Sequence, residues 1–430
     1  MIKKNESLVS KILAKKKSYS VMEAQNYDFK DVNGCTDFAK LDKYKQIQIA
    51  KNAGLKFNLE TPFFREYEGI GSNTILHNGK EYINFSSYNY ISLNGSKEAV
   101  QAVDNTMRKL GTSVSASRPV SGERAIHIEL EKEIANLYKT EDSVTFVSGH
   151  ATNVSTISTL FGAKDLIVYD ETSHNSIIQG LKLSDAKAYA FRHNDYNHLE
   201  ALLSKYRSSY NRVLIIVEGL YSMDGDVPNL PEFINIKNRY RCFLMVDEAH
   251  SLGVLGDTGK GIFEHFSISP SEVDIWMGTL SKTLCSCGGY IAGTSVLIEI
   301  LKCHSPSFVY SVGISPMNAA AALASLKLLK DKSSEVVKLQ KIGSYMAEKL
   351  KNKGFNIGNS IGYGIIPVIF GKTKKTIEVS HRLFKDFQVN VSPVIHPAVE
   401  ERKARLRFFI NSSHTVEQID YSVDALVKCV

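Results

Sequence analysis

The chain has 430 residues, 43% of them hydrophobic, enough apolar material for a large core in one major and one smaller domain. Its net charge of +7 is scattered and no recognition motif accompanies it, so nucleic acid is not an expected partner, although an anionic one fits the bias. Six cysteines without a CxxC pair, no secretory signal and no apolar run of the ~18 residues that a membrane span needs set the expectation of a reduced, cytoplasmic protein.

Residues 1–45 read as a polar, lysine-rich arm in which Leu8 and Ile12, and Val9 and Leu13, have the i,i+4 spacing of an amphipathic helix. Such a helix can touch a membrane or an acidic protein, but packing against its own protein or a partner subunit is the expectation here. Residues 46–94 read as a segment joining the smaller domain. From 95 to 311, short apolar runs (142–147, 166–169, 213–217, 243–246 and 274–277) alternate with helix-like stretches such as Ala125 to Tyr138. This is α/β patterning with a mainly parallel sheet, and it predicts the large, cofactor-binding domain. Residues 312–430 open with an alanine-rich helix from Pro316 to Leu329 and close on a strand at Arg405–Ile410, which predicts a smaller C-terminal α+β domain.

The chemistry-bearing residues fall just past the predicted strands. After 142–147 comes Ser148-Gly149-His150, a turn that opens a helix, where backbone N–H groups can cradle an anion. After 166–169 comes His174, which can stack on a flat cofactor. After 213–217, Ser222 sits in a tight turn and can donate to a ring, while Asp224 and Asp226 read as turn formers. The next strand ends in Asp247-Glu-Ala-His250. The run at 274–277 leads into Thr279-Leu-Ser-Lys282 and then a glycine-rich stretch. A strand-end acid, a nearby histidine and a later strand-end lysine are the parts of a pyridoxal 5′-phosphate (PLP) site. The lysine forms a Schiff base, and the acid keeps the pyridine nitrogen protonated, so that the ring withdraws electrons.

Arg405 and Arg407 share one face of the late strand, where a guanidinium can grip a substrate carboxylate. Two patterns are set aside. Gly256–Gly261 lacks the first glycine and the Ser/Thr of a nucleotide loop. Cys285-Ser-Cys287 has no second ligand pair at zinc spacing, so no metal site is expected and both cysteines read as small buried residues beside Lys282.

Together these residues resemble the α-oxoamine synthases, PLP enzymes of fold type I (aspartate-aminotransferase-like). The resemblance runs from about Asp42 to the C-terminus. It rests on Asn84–Tyr90, Ser121–Glu131, Glu218–Asp226, Val246–Val254, Gly278–Thr283 and Ala404–Arg407. The group includes serine palmitoyltransferase, 8-amino-7-oxononanoate synthase, 5-aminolevulinate synthase and 2-amino-3-ketobutyrate CoA ligase. Position by position, the resemblance implies that Lys282 is Schiff base and acid/base. Asp247 pairs with the pyridine nitrogen, His250 reaches the phenolic oxygen, His174 stacks on the ring and Ser222 supports it. Ser148, Gly149, His150 and Thr279 hold the phosphate, with Ser311 near it. Arg407 grips the amino-acid carboxylate, and Asn89 contacts substrate. It also implies a homodimer with its site at the interface, where Asn89 and Ser311 act across the boundary.

Residues 111–117, 149–153, 310–316 and 397–401, with the run after Lys282, look most like versions from polyketide and non-ribosomal pathways, which tend to take acyl groups from acyl carrier protein rather than CoA. The implied reaction is a decarboxylative condensation of glycine, alanine or serine with an acyl thioester to an α-amino ketone. The alternatives are an aminotransferase, which forms no carbon–carbon bond, and a non-catalytic partner subunit. Retention of Lys282, Asp247 and His174 together argues against the latter.

Overall fold

The computed structural model describes residues 36–57 and 59–430. The helix expected within residues 7–13, and most of the arm, lie outside the described residues. The chain divides into two compact units, 1–61 and 62–430. Described elements of the first are a short turn of helix at Phe38–Lys40 and the helix Asp42–Lys56.

The second unit is built on a seven-stranded sheet. Its strands are numbered with two earlier ones, β1 (Thr74–His77) and β2 (Lys80–Asn84): β3 (Asp142–Phe146), β4 (Leu166–Asp170), β5 (Lys187–Phe191), β6 (Val213–Glu218), β7 (Phe243–Asp247), β8 (Ile275–Thr279) and β9 (Gly289–Gly293). Their order is β3-β9-β8-β7-β6-β4-β5. Pairs β5/β4, β4/β6, β6/β7 and β7/β8 are parallel, and β9 runs antiparallel to both β8 and β3. All strands but β9 therefore point one way, and their C-terminal ends share one edge.

The apolar runs form strands because both faces are covered. β6 sends Val213, Ile215 and Val217 into one apolar cluster and Leu214 and Ile216 into the other, the period-two alternation of a doubly covered sheet. Trp276 on β8 is fully buried. It stacks on Tyr138 at 5.0 Å, and its indole N–H donates to the Pro270 carbonyl at 3.0 Å.

Two small sheets complete the unit. β10 (Ile365–Gly371), β12 (Ser392–Val394) and β13 (Ala404–Phe409) form one, ordered β10-β13-β12. In the other, β11 (Val389–Asn390) pairs in parallel with β2. β1 and β2 are a hairpin whose Asn78-Gly79 turn has φ of 51° and 70°, the combination a two-residue type I′ turn requires.

The glycine-rich stretch after Lys282, to which the sequence assigned no element, forms β9. The glycines have a packing reason. A Cβ on Gly289 would lie 2.6 Å from Gly149 Cα and 2.5 Å from Thr152 Oγ1, so β9 is bare where the helix Gly149–Leu160 meets it.

Candidate active site

Because six strands run in parallel, the segments after β3, β4, β5, β6, β7 and β8 gather along one edge, the usual place for a ligand in such a sheet. Asp247 ends β7 in register with Glu218, which ends β6. Asp247 is buried. Its Oδ1 accepts the Ala249 N–H at 2.9 Å and its Oδ2 accepts an N–H of Asn153 at 2.8 Å. The same Asn153 nitrogen donates to Ser176 Oγ at 2.9 Å, and Ser176 Oγ lies 2.7 Å from His174 Nδ1. Nδ1 also accepts the Ser176 N–H at 3.2 Å, so it carries a lone pair. Burial lowers the pKa of His174. Asp247 opposes that, and Lys282, His150 and Arg407 add to it. His174 is therefore neutral, with Nδ1 fixed as the acceptor at the end of a chain from Asp247.

His250 is buried three residues beyond Asp247. Tyr90 Oη lies 2.7 Å from its Nδ1. Burial raises the Tyr90 pKa and holds that of His250 well below the ordinary value, so Tyr90 donates and His250 keeps its proton on Nε2.

Lys282 is half-buried on the β8–β9 connection. Its pKa is pushed down to about 8, chiefly by burial; Asp247 and Glu218 oppose this and Arg407 adds to it. Its ammonium lies 5.8 Å from the Tyr88 ring centre. With Tyr88, Asn89, Ser281 and Cys285 it lines a cavity of about 370 Å³. Asn89 is thus in the same chain's cavity; its Nδ2 donates to the Gly71 carbonyl at 3.2 Å.

The two arginines separate. Arg405 is buried and spent, in an ion pair with Asp224 at 2.6 Å and a bond to the Met223 carbonyl at 2.9 Å. Arg407 donates one Nη1 bond to the Ser222 carbonyl at 3.0 Å, rests on Phe409, and keeps a buried Nε without a partner among the described residues. Ser222 therefore supports Arg407 through its carbonyl.

A helix starts at Gly149, where the sequence places the anion cradle. A Cβ on Gly149 would lie 3.0 Å from Thr279 Oγ1, so glycine lets the backbone approach that hydroxyl. Thr279 Oγ1 in turn donates to the Gly288 carbonyl at 3.0 Å and lies 2.7 Å from Ser281 Oγ. His150 is exposed. Ser148 is engaged differently from expectation: its hydroxyl caps the helix by accepting the Ala151 N–H at 3.0 Å. Ser311 is not brought into the Lys282 cavity. It lies in a separate groove with Ser117, Val120, Tyr310 and Val312. Of the two cysteines expected to be buried, Cys285 is half-buried and Cys287 is exposed, with its Sγ 3.8 Å from the Val147 carbonyl.

Residues 80–426 match the family described as aminotransferase class I and II. The chain is 38% identical over 384 residues to the 8-amino-7-oxononanoate synthase of Treponema denticola, covering 89% of this chain and 95% of that protein. It is 36% identical over 389 residues to the serine palmitoyltransferase of Sphingobacterium spiritivorum, covering 90% and 95%. The chain belongs to the aminotransferase class I and II family, in its α-oxoamine synthase group. The solved structure of a Sphingomonas wittichii serine palmitoyltransferase superposes on this α-oxoamine synthase with a TM-score of 0.86 at 26% identity, covering 91% of this chain and 98% of that one. The enzyme has the PLP-dependent type I fold expected from sequence, is of the acyltransferase type, and uses PLP.

The residues present fit that cofactor. The bare Gly149 backbone suits a phosphate. The Asn153-bound, buried Asp247 suits a protonated ring nitrogen. The unpartnered Nε of Arg407 is a buried donor awaiting an anion. Tyr90, Asn153, Ser176 and Glu218 had been given no role from sequence. Each lay inside a quoted motif or beside His174, but their roles depend on partners up to 160 residues away.

Proposed function

We propose that this α-oxoamine synthase condenses a small α-amino acid (glycine, alanine or serine) with an acyl thioester, on acyl carrier protein or CoA, giving an α-amino ketone, carbon dioxide and free thiol. One observation carries the reading: a half-buried lysine with a pKa near 8 shares an electrostatic neighbourhood with an arginine that has a buried, unpartnered N–H. Among named relatives, a serine palmitoyltransferase brings serine and a palmitoyl donor within this range.

When bound, PLP supplies an electron sink for charge developing at the amino-acid α-carbon. Arg407 grips the substrate carboxylate and orients the α-carbon toward Lys282. Lys282, neutral in a large fraction of molecules near pH 8, takes the α-proton at its Nζ and later returns one. Asp247 would hold the ring nitrogen, the Nε2–H of His250 would serve the phenolic oxygen, and neutral His174 would cover the ring. Gly149, His150 and Thr279 would hold the phosphate. Tyr88 and Asn89 border the space left for substrate.

A second copy of the chain completes the proposed assembly, with Ser311 and its groove at the boundary. We retain the domain division 46–94, 95–311 and 312–430 as part of the same proposal. The test is thiol release from an acyl thioester in the presence of each amino acid, with carbon dioxide measured in parallel. Equal release of both, dependent on one amino acid, supports condensation. Amino-group transfer to a keto acid without thiol release refutes it. Reversing the charges of Arg402 and Lys403 should slow a carrier-bound donor and spare CoA donors; equal effects count against carrier docking.

A further inference from the structure

We infer that His193 is a positioning residue, a doubly bonded imidazolium that sets the loops carrying His174 and the Arg407 anchor at one distance from each other. It stands just after β5, half-buried, outside the proposed reacting groups. Its Nδ1 lies 2.9 Å from Asp170 Oδ1 and its Nε2 lies 3.0 Å from Asp226 Oδ2. Both carboxylates are buried and accept, and the Thr172 hydroxyl, 2.8 Å from Nδ1, gives its own proton to Asp170 Oδ1 at 2.8 Å, so both ring nitrogens donate and the ring is charged. The raised proton affinity of the ring agrees, with a pKa of about 10: burial acts to lower it and Asp170 and Asp226 outweigh that effect.

The two carboxylates belong to different loops. Asp170 ends β4 and shapes the turn to His174. Its Oδ1 accepts the Thr172 N–H at 2.9 Å, and its Oδ2 accepts the Asn194 N–H at 2.8 Å. Asp226 closes the turn after β6. Its carbonyl accepts the Tyr221 N–H at 3.0 Å, and its Oδ2 accepts from Asn194 Nδ2 at 2.9 Å. That turn contains Ser222, whose carbonyl holds Arg407, and Met223 and Asp224, which hold Arg405. The Tyr221 ring meets the His193 ring edge-on at 4.6 Å. One cation thus ties the group expected to cover the cofactor to the group expected to hold the substrate carboxylate. The assignment of those two groups rests on the proposed function.

The test uses the PLP-loaded enzyme and two readouts. One is the amino-acid dissociation constant from the change in cofactor absorbance. The other is hydrogen–deuterium exchange in peptides spanning 170–174 and 219–226. His193→Gln should weaken amino-acid binding by roughly tenfold or more, the scale of a lost charge-assisted bond, and should speed exchange in both segments together. Arg212→Ala breaks the Arg212–Asp165 pair at the opposite ends of β4 and β6 and should do neither. Binding within about twofold of wild type, or faster exchange in one segment alone, overturns the inference.

Asp226→Asn decides the matter should His193→Gln fail to fold. Its amide oxygen can still accept from Nε2 while its nitrogen takes the place of Asp226 Oδ1, which has no partner among the described residues. The charged groups then facing His193 are Asp170 and, through the His193 N–H, Glu171, with Tyr221 neutral beside them. With one carboxylate gone, the ring gives up its proton at lower pH. The affinity of the variant relative to wild type should then fall progressively from neutral to alkaline pH, and a ratio flat with pH overturns the inference. A wild type whose absorbance no amino acid alters refutes the functional reading instead, and the exchange data still decide the clamp.

Discussion

Replacing Lys282 with methionine should stabilise the cofactor-free protein at neutral pH, and the gain should vanish in alkali. Burial has moved the lysine from 10.5 to about 8 despite two carboxyl groups nearby. At about 1.4 kcal/mol per tenfold change in proton affinity, the folded state carries a cost of about 3 kcal/mol for the ammonium, an upper bound for a half-buried group. The sign follows from proton counting. Between pH 8 and 10.5 the unfolded chain holds the proton and the folded chain has released it, so stability rises with pH across that window. Below pH 8 both states are charged and the whole cost is present. Methionine removes the charge at similar length, leaving any packing difference independent of pH. The assay is urea unfolding of cofactor-free wild type and Lys282→Met at one protein concentration, from pH 7 to 10.5. The variant should lead by up to about 3 kcal/mol at pH 7 and the lead should shrink steadily above pH 8. A difference that does not change with pH would refute the reasoning, because it would mean that Lys282 is ordinarily solvated.

The two strand-mounted arginines should fail in different ways. Arg407→Lys, which keeps charge but loses the planar fork, should raise the KM for amino acid by roughly tenfold or more with little effect on the unfolding midpoint. Arg405→Ala strands Asp224 and should cost about 3 kcal/mol of stability, read by chemical denaturation. Gly149→Ala should lower PLP affinity by roughly tenfold in a fluorescence titration, since the new methyl would press on Thr279 where the backbone must approach the phosphate. Tyr90→Phe frees His250 Nδ1 of its donor and should shift the cofactor absorbance and its pH dependence while leaving amino-acid KM within about threefold; an unchanged spectrum counts against the tautomer assigned to His250.

The strand ends could be read from sequence because each follows a short run of β-branched or aromatic residues buried on both faces, which leaves a local signature. His174, Asp247, His250 and Lys282 all fall at such boundaries. What escaped the sequence reading depends on distant partners. His193 has no role assigned from sequence, and it becomes notable only when β4 and β6 bring Asp170 and Asp226 to either side. Glu218 becomes unusual only when β7 places Asp247 beside it: burial, then Asp247, raises its pKa well above the ordinary range, while its Oε1 accepts the His174 N–H at 2.6 Å. Asp226, read as a turn former, closes its turn and holds His193 as well. The hairpin at Asn78-Gly79 carried a local signal that the sequence reading did not use.

The β8–β9 connection has a mechanical consequence. Most strand-end loops here lead into helices, but the lysine rides a return between two neighbouring antiparallel strands. Leu280 N–H donates to the Gly288 carbonyl at 2.9 Å and Ser286 N–H to the Leu280 carbonyl at 2.8 Å, so the loop is laced to itself at its base. Thr283 Oγ1 moors it to the Leu252 carbonyl at 2.7 Å and Ser286 Oγ to the Asn318 carbonyl at 2.6 Å. On the proposed function Lys282 attaches, lets go and attaches again in every cycle, and for that it has a rigid pivot and a limber lever. The backbone is pinned on both flanks, and what swings is four methylenes and an amine. Resetting the catalyst then requires only bond rotations, with no displacement of the main chain.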